Sequence, residues 1–247
     1  MENKFGLIGK VVGHSYSKNY FDEKFFREER RDYRYDLYPL PEIGDLKKLL
    51  ADNPEICGLN VTIPYKEQVL PMLDDIDADA RQIGAVNVIR VRDGKLKGFN
   101  TDSMAFQETL EHWTESVRSC EALVLGTGGS SKAVLRALQK LGIPYQTVSR
   151  ETGRANFTYD DLRTDKDILV NHKLIINTTP LGMSPDTTSF PDIPYEQLTP
   201  EHLVYDLIYN PARTMFLQKA EMRGATIKNG LQMLHLQAEK SWEIWNA

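Results

Sequence analysis

Four polar clusters in the first hundred residues each follow a short apolar run: HSYS at 14–17, NVTIPYK at 60–66, GAVNV at 84–88 and GFNTD at 98–102. Each sets Ser, Thr, Lys, Asn or Asp just past an apolar strand, and strand ends are where α/β sheets bind ligands. Folding alone does not ask for this polarity. Among these residues Lys66 and Asp102 can do acid–base chemistry. Hydride arriving at a carbonyl carbon leaves negative charge on the oxygen, and a proton donor in reach stabilises it. Lys66 can supply that proton, while Asp102 can hold the ammonium in place and accept a bond from a substrate hydroxyl. Which of the two transfers the proton stays open. Taken singly, each residue has a plain structural role: Ser15 as a helix N-cap, Lys66 as a solvated helix lysine, Asp102 as an N-cap of the next helix.

The segment EALVLGTGGSSKAVLRALQKLG reads as a strand, a glycine loop and a helix. Gly126, Gly128 and Gly129 let the backbone turn sharply and approach a pyrophosphate. Unpaired N–H groups and the positive end of the helix dipole then face the phosphate charge. Ser130 and Ser131 complete the loop, and Ser131 stands where a third glycine would close a GxGxxG pattern, so helix and strand approach less closely. The end of the next strand chooses between nicotinamide cofactors, because an acidic residue there favours NAD and repels a 2′-phosphate. Here it ends in Ser149 and Arg150, with Arg154 four residues on, and two guanidinium groups suit a 2′-phosphate. This predicts NADP (NADPH), with Glu151 turned toward solvent.

The elements that position these residues follow from periodicity. Phe5, Leu7 and Ile8 open a strand, a helix covers Phe21 to Glu29, and Tyr33, Tyr35 and Leu37 alternate as a second strand. A helix over Ile43 to Leu50 and a strand ending at Thr62 follow, with Pro64 in the first turn of another helix. Val86 to Val91 and Lys95 to Phe99 flank an Asp93–Gly94 hairpin turn. From residue 121 a second rhythm begins, with strands at 122–125, 146–149, 174–177, 203–207 and 225–227. Near-continuous apolar runs such as LIIN and LVYDL suit a parallel sheet covered by helices on both faces. A last helix starts at Leu231.

Composition excludes several classes. With 41% hydrophobic and 26% charged residues the chain can form a core, and 247 residues suffice for two modest domains. A net charge of −5 with no basic stripe argues against nucleic acid as a partner. No apolar run approaches the length of a spanning helix or a signal peptide, which predicts a cytoplasmic protein with no membrane association. The two cysteines, Cys57 and Cys120, read as buried free thiols, and the five histidines have no ligand spacing, so no metal is expected.

Taken together the motifs resemble the shikimate dehydrogenase family. His14, Ser15 and Ser17, the run Asn60 to Lys66, Gly84 to Asn87, and Asn100 to Asp102 stand in family order. GTGGSS at 126–131, NTTPLGM at 177–183, YDLIYNP at 205–211 and NGLQML with Gln237 continue it over nearly the whole chain. The resemblance implies an α/β protein of two domains. One is a substrate-binding domain of residues 1–102 completed by the C-terminal helix, 229–247; the other, 103–228, is a Rossmann-like NADP-binding domain. It implies reversible reduction of 3-dehydroshikimate to shikimate, within chorismate and aromatic amino-acid biosynthesis, by a monomer or homodimer acting on a small molecule held between its domains. By matched position, Ser15 and Ser17 bind the substrate carboxylate, and Thr62, Lys66, Asn87, Asp102 and Gln237 ring its hydroxyls and carbonyl. Tyr209 is a further carboxylate or cleft contact. Thr178 belongs to the matched NTTPLGM run, and Met183, Gly230 and Met233 are implied to lie near the nicotinamide.

The sequence departs from the family at Lys18, where proline is usual, at Glu151, where threonine is usual, and at His235, where an aliphatic residue is usual. Three rival readings compete with this one. A quinate/shikimate dehydrogenase shares the motifs but often uses NAD, against which Ser149, Arg150 and Arg154 count. A folate-linked methylene dehydrogenase has no use for HSYS and NTD. A non-catalytic NADP-sensing protein would have no need of both Lys66 and Asp102.

Overall fold

The apolar runs of the first hundred residues pair into one sheet, and those after residue 121 pair into another. The computed structural model describes residues 3–13, 15–113 and 115–247. Two units result: the chain up to Thr101 together with Gln237–Ala247, and Asp102–Leu236.

In the first unit the order is β1 (Asn3–Gly9), α1 (Tyr16–Arg27), β2 (Tyr33–Pro39), α2 (Leu46–Asp52), β3 (Ile56–Val61), α3 (Tyr65–Gln68), β4 (Asp75–Ile76), α4 (Ala78–Ile83), β5 (Val88–Arg92) and β6 (Lys95–Phe99). The sheet runs β2-β1-β3-β5-β6-β4, with β2, β1 and β3 mutually parallel and β5 antiparallel to β3 and to β6. The hairpin turn is as predicted: Asp93 and Gly94 both have positive φ, 50° and 72°, the conformation that a two-residue hairpin loop demands. One face of the sheet packs Ile8, Leu59, Val61, Tyr65 and Ile89, and the other packs Phe5, Phe21, Phe25, Tyr35 and Trp245. Each such side chain, taken wholly out of water, contributes roughly 1.5 to 3 kcal/mol. Trp245 seats the end of the last helix on the sheet. Its Nε1 donates to the Ile89 carbonyl at 3.1 Å, and Gly58 makes room for it, since a Cβ there would lie 2.3 Å from the indole.

The second unit holds most of α5 (Thr101–Glu111), then β7 (Ala122–Leu125), α6 (Gly129–Leu141), β8 (Tyr145–Ser149), β9 (Phe157–Thr158), α7 (Tyr159–Thr164), α8 (Asp167–Asn171), β10 (Leu174–Asn177), β11 (Leu203–Asp206), α9 (Met215–Glu221), β12 (Thr226–Lys228) and the first residues of α10 (Leu231–Asn246). Its sheet is parallel throughout, in the order β12-β11-β10-β7-β8-β9. Numbered from β7 this is 6-5-4-1-2-3, the doubly wound order of Rossmann-like folds, with its switch point between β7 and β10.

Three local expectations change. The helix expected over Ile43 to Leu50 is a 3₁₀ turn at Ile43–Asp45 running into α2. The turn is fixed by a capping box between Glu42 and Asp45. Pro64 sits at the N-cap of α3 rather than within its first turn, the Ile63–Pro64 peptide is cis, and α3 is one turn long. The two-residue strands β4 and β9 have no readable period. No helix among the described residues is long and apolar enough to cross a membrane.

Candidate active site

The pairing of the first sheet brings the polar clusters to one edge. Ile8 stands opposite Val61, Asn60 opposite Val88, and Val88 opposite Phe99. The ends of β1 and β3, the start of β5 and the end of β6 therefore share one side, from which Ser15, Thr62, Asn87 and Asn100 continue. Backbone bonds tie these loops together. Thr62 N–H donates to the Ile8 carbonyl at 2.9 Å, Val61 N–H to that of Asn87 at 2.8 Å, and Asn87 N–H to that of Phe99 at 3.1 Å. Val86 N–H donates to the Lys66 carbonyl at 2.7 Å, which binds the α3 turn to the GAVNV loop. Asn100 Nδ2 closes the set by donating to the Ala85 carbonyl at 2.9 Å.

The side chains differ in how they are held. Ser15 is the N-cap of α1, its Oγ accepting from Ser17 N–H at 3.2 Å, and Ser17 is nearly buried. His14 lies outside the described residues. Thr62 and Lys66 are half-buried. Asn87 is buried and clamped by one residue: Thr101 N–H donates to its Oδ1 at 2.7 Å, and its Nδ2 donates to Thr101 Oγ1 at 2.9 Å. The backbone N–H can only donate, so it settles which end of the Asn87 amide is oxygen. Asp102, next in the chain, is buried in the first turn of α5. Gln237 is half-buried near the middle of α10. Thr101 and Asn60 are partners of these side chains that motif spacing alone does not single out. An asparagine inside the apolar strand ICGLNV is the signal that could have found Asn60.

In the second unit the glycine loop follows β7 and leads into α6. Gly126 has φ 110°, and a Cβ there would lie 2.7 Å from Thr178 Oγ1. Thr178, at the end of β10, in turn donates from Oγ1 to the Leu125 carbonyl at 2.7 Å. The loop and the β10 end thus close on each other across the switch point, with glycine the residue that fits between them. Gly128 is the N-cap of α6, and no atom lies within 4 Å of where its Cβ would be. Gly129 and Ser130 open the helix, and Ser131 Oγ is buried with no hydrogen-bond partner among the described residues. An open cradle at a helix N-terminus, with an orphaned donor in its first turn, fits a dinucleotide pyrophosphate.

At the end of β8, Ser149 Oγ accepts from Glu151 N–H at 3.1 Å. Arg150 is exposed, with no ion-pair partner within 4 Å among the described residues. Glu151 is exposed, in keeping with the expectation that it turns to solvent, but it is not without a partner. Its carboxylate takes both oxygens to Arg154 Nη1, at 3.0 and 3.1 Å, because three residues in this turn bring the two side chains together. Of the two guanidinium groups, Arg150 is the one left for an anion.

Beyond β10 and β11 the loops are fixed by a buried carboxylate. Asp206 accepts from Asn177 Nδ2 at 3.0 Å, Ile208 N–H at 3.1 Å and Thr214 Oγ1 at 2.6 Å. Burial nevertheless pushes its pKa up to about 6, against the pull of these donors. Tyr209 follows, half-buried, and Met183 is exposed. Gly230 sits against the β11 exit: a Cβ there would lie 2.0 Å from the Leu207 carbonyl oxygen. Met233 packs into the core of this unit beside Phe106 and Tyr205.

A doubly wound parallel sheet with a glycine cradle at its switch point, on one chain with a mixed six-stranded sheet that has a polar edge, defines the class of two-domain nucleotide-dependent dehydrogenases. Residues 7–89 match the shikimate dehydrogenase substrate binding domain. The chain is 36% identical over 250 residues to a shikimate dehydrogenase (NADP(+)) of Staphylococcus epidermidis, spanning 98% of this chain and 91% of that one. Among solved structures, shikimate dehydrogenase 1 from Peptoclostridium difficile superposes with TM-score 0.86 at 34% identity, covering 99% of this chain and 91% of that one. Shikimate 5-dehydrogenase from Thermus thermophilus, in complex with NADP(H) and shikimate, gives TM-score 0.85 at 29% identity, covering 98% and 93%. The chain belongs to the shikimate dehydrogenase family.

Proposed function

We propose that this chain is an NADP-dependent oxidoreductase that interconverts 3-dehydroshikimate and shikimate, in the cytoplasm. The observation that supports this most is the shared edge of the first sheet, where Thr62, the α3 turn bearing Lys66, Asn87 and Asn100 are tied by backbone hydrogen bonds. That edge offers hydroxyl, ammonium and carboxamide groups to a compact polyol, with Ser15 and Ser17 on α1 for its carboxylate. The glycine cradle would hold the pyrophosphate of NADP, and Arg150 its 2′-phosphate. Bound NADPH supplies the hydride equivalent for the ketone.

The chain's own part is binding and proton transfer. Lys66 donates a hydrogen bond, and in the forward direction a proton, to the oxygen of the reacting carbonyl. Asp102 orients the ammonium and accepts from a neighbouring hydroxyl. Asn87 and Gln237 fix the ring by its other hydroxyls. A positioned acid contributes about 10²- to 10⁴-fold in rate.

The test follows absorbance at the reduced-nicotinamide band with shikimate or quinate crossed with NADP or NAD. Shikimate with NADP should give the highest kcat/KM of the four pairings. Comparable rates with quinate would replace the substrate assignment, and absence of turnover in all four would leave a binding protein.

A further inference from the structure

Behind the polar edge of the first unit lies a second, wholly internal set of polar side chains. Ser241 is completely buried on α10, one turn after Gln237. Its Oγ donates to the Gln237 carbonyl at 2.7 Å, and Asn60 Nδ2 donates to that Oγ at 3.0 Å. Thr101 Oγ1 lies 3.4 Å from it. The Ser241 proton is committed to the Gln237 carbonyl, so Thr101 must be the donor in this pair. Thr101 Oγ1 is then left to accept from Asn87 Nδ2, as observed at 2.9 Å. Asn60 completes the set, its Oδ1 accepting from Tyr35 Oη at 2.8 Å. Every member sits at or below 5% exposure: Ser241, Thr101 and Tyr35 at 0%, Asn87 at 3% and Asn60 at 5%.

One hydroxyl therefore makes three bonds and joins three separate stretches of chain: the last helix, strand β3 and the NTD turn. We infer that Ser241 is a positioning residue, which through Thr101 and its own helix sets the spacing between the Asn87 carboxamide and Gln237. The inference rests on the proposed reading that Asn87 and Gln237 hold the substrate. The sequence signal is faint, a serine in line with apolar positions of α10, where packing alone would take an alanine. Removing the hydroxyl takes the nearer acceptor from the Asn60 amide, which keeps only the Asn87 carbonyl at 3.4 Å, and takes from the Thr101 hydroxyl the acceptor of its proton, in a fully buried site. Asn87 and the helix bearing Gln237 then lose their common reference point.

The test compares two substitutions in the full chain. Ser241→Ala removes the hub; Tyr35→Phe removes one buried bond of the same network, at Asn60, and leaves the Ser241–Thr101 and Ser241–Gln237 bonds in place. Both should lower the melting temperature. Only Ser241→Ala should raise KM for shikimate, by about 10-fold, with kcat reduced less than about 3-fold and KM for NADP within a factor of 2, as expected for lost ground-state and transition-state binding alike. Equal KM shifts in the two variants, or a wild-type KM in Ser241→Ala, would overturn the inference. If Ser241→Ala does not fold, Ser241→Cys carries the test with its weaker donor: a raised KM for shikimate supports the role, a wild-type KM ends it. Absence of shikimate turnover in the wild-type chain would instead remove the reading underneath.

Discussion

Asn177 and Asp206 are register partners on adjacent strands at the switch-point edge of the second sheet, and the Asn177 amide donates to the Asp206 carboxylate at 3.0 Å. The carboxylate is buried, and burial outweighs its three donors in pushing its pKa up to about 6. The folded state thus holds this proton more tightly than the unfolded chain does. The stabilisation is fully present below the ordinary carboxylate pKa and is lost as pH rises through about 6. A shift of this size corresponds to a difference on the order of 3 kcal/mol between the protonation states. Asp206→Asn can keep the same geometry, accepting at Oδ1 from Asn177 and Ile208 and donating from Nδ2 to Thr214. Its melting temperature, measured from pH 4.5 to 8, should match the wild type at the acid end and exceed it at the basic end. A constant difference across the range would show that Asp206 stays charged throughout.

The strands of this second unit were legible because a parallel sheet buries both faces, so LVL, LIIN and LVYD appear as unbroken apolar runs. The site edge of the first unit was legible as motifs but not as geometry. Nothing in the spacing of NVTIPYK and GAVNV announces the bond from Val86 N–H to the Lys66 carbonyl, which depends on strand register. The pairing of Glu151 with Arg154 is hidden for a similar reason, since the meeting of side chains three apart depends on the local turn. Ser241 leaves only a faint signal because its three partners are Gln237, Asn60 and Thr101, and only the first is near in sequence.

The Glu151–Arg154 pair makes a prediction about cofactor choice. With Arg154 engaged, Arg150 should carry most of the selectivity for a 2′-phosphate. Arg150→Ala should raise KM for NADP about 10-fold or more while leaving that for NAD nearly unchanged, a cost of about 1.4 kcal/mol per decade. Arg154→Ala should do less. Glu151→Gln should release Arg154 and lower KM for NADP a few-fold, since exposed pairs of this kind are worth only about 0.2 to 1 kcal/mol. A stronger effect from Arg154→Ala than from Arg150→Ala would reverse the assignment.

Gly126 is a position where side chain and backbone requirements coincide. Its φ of 110° disfavours any L-residue, and a Cβ would press on Thr178 Oγ1 at 2.7 Å. Gly126→Ala should cost about 1 to 3 kcal/mol from the backbone alone. It should also push the β10 end away from the loop, breaking the Thr178 bond to the Leu125 carbonyl. Calorimetric titration with NADPH should show affinity reduced by at least 10-fold, while Gly128→Ala, with open space at its Cβ, should perturb the fold much less. Equal melting temperatures for Gly126→Ala and wild type would contradict the close approach.

Lys66 is the residue on which the proposed chemistry turns. Its backbone carbonyl, not its side chain, binds Val86 N–H, so Lys66→Ala leaves the tie between α3 and the GAVNV loop intact. Alanine is also a good helix former, and the melting temperature should move little. If the ammonium donates the proton, the loss appears in the chemical step: kcat for shikimate oxidation should fall about 10²- to 10⁴-fold, equivalent to roughly 3 to 5.5 kcal/mol, with KM changed far less. A rise in KM at unchanged kcat would make Lys66 a binding group and pass the proton-transfer role to Asp102. Asp102→Asn, measured in the same assay, separates the two outcomes: it should lower kcat while Lys66 is the donor, and should abolish turnover only if the carboxylate itself moves the proton.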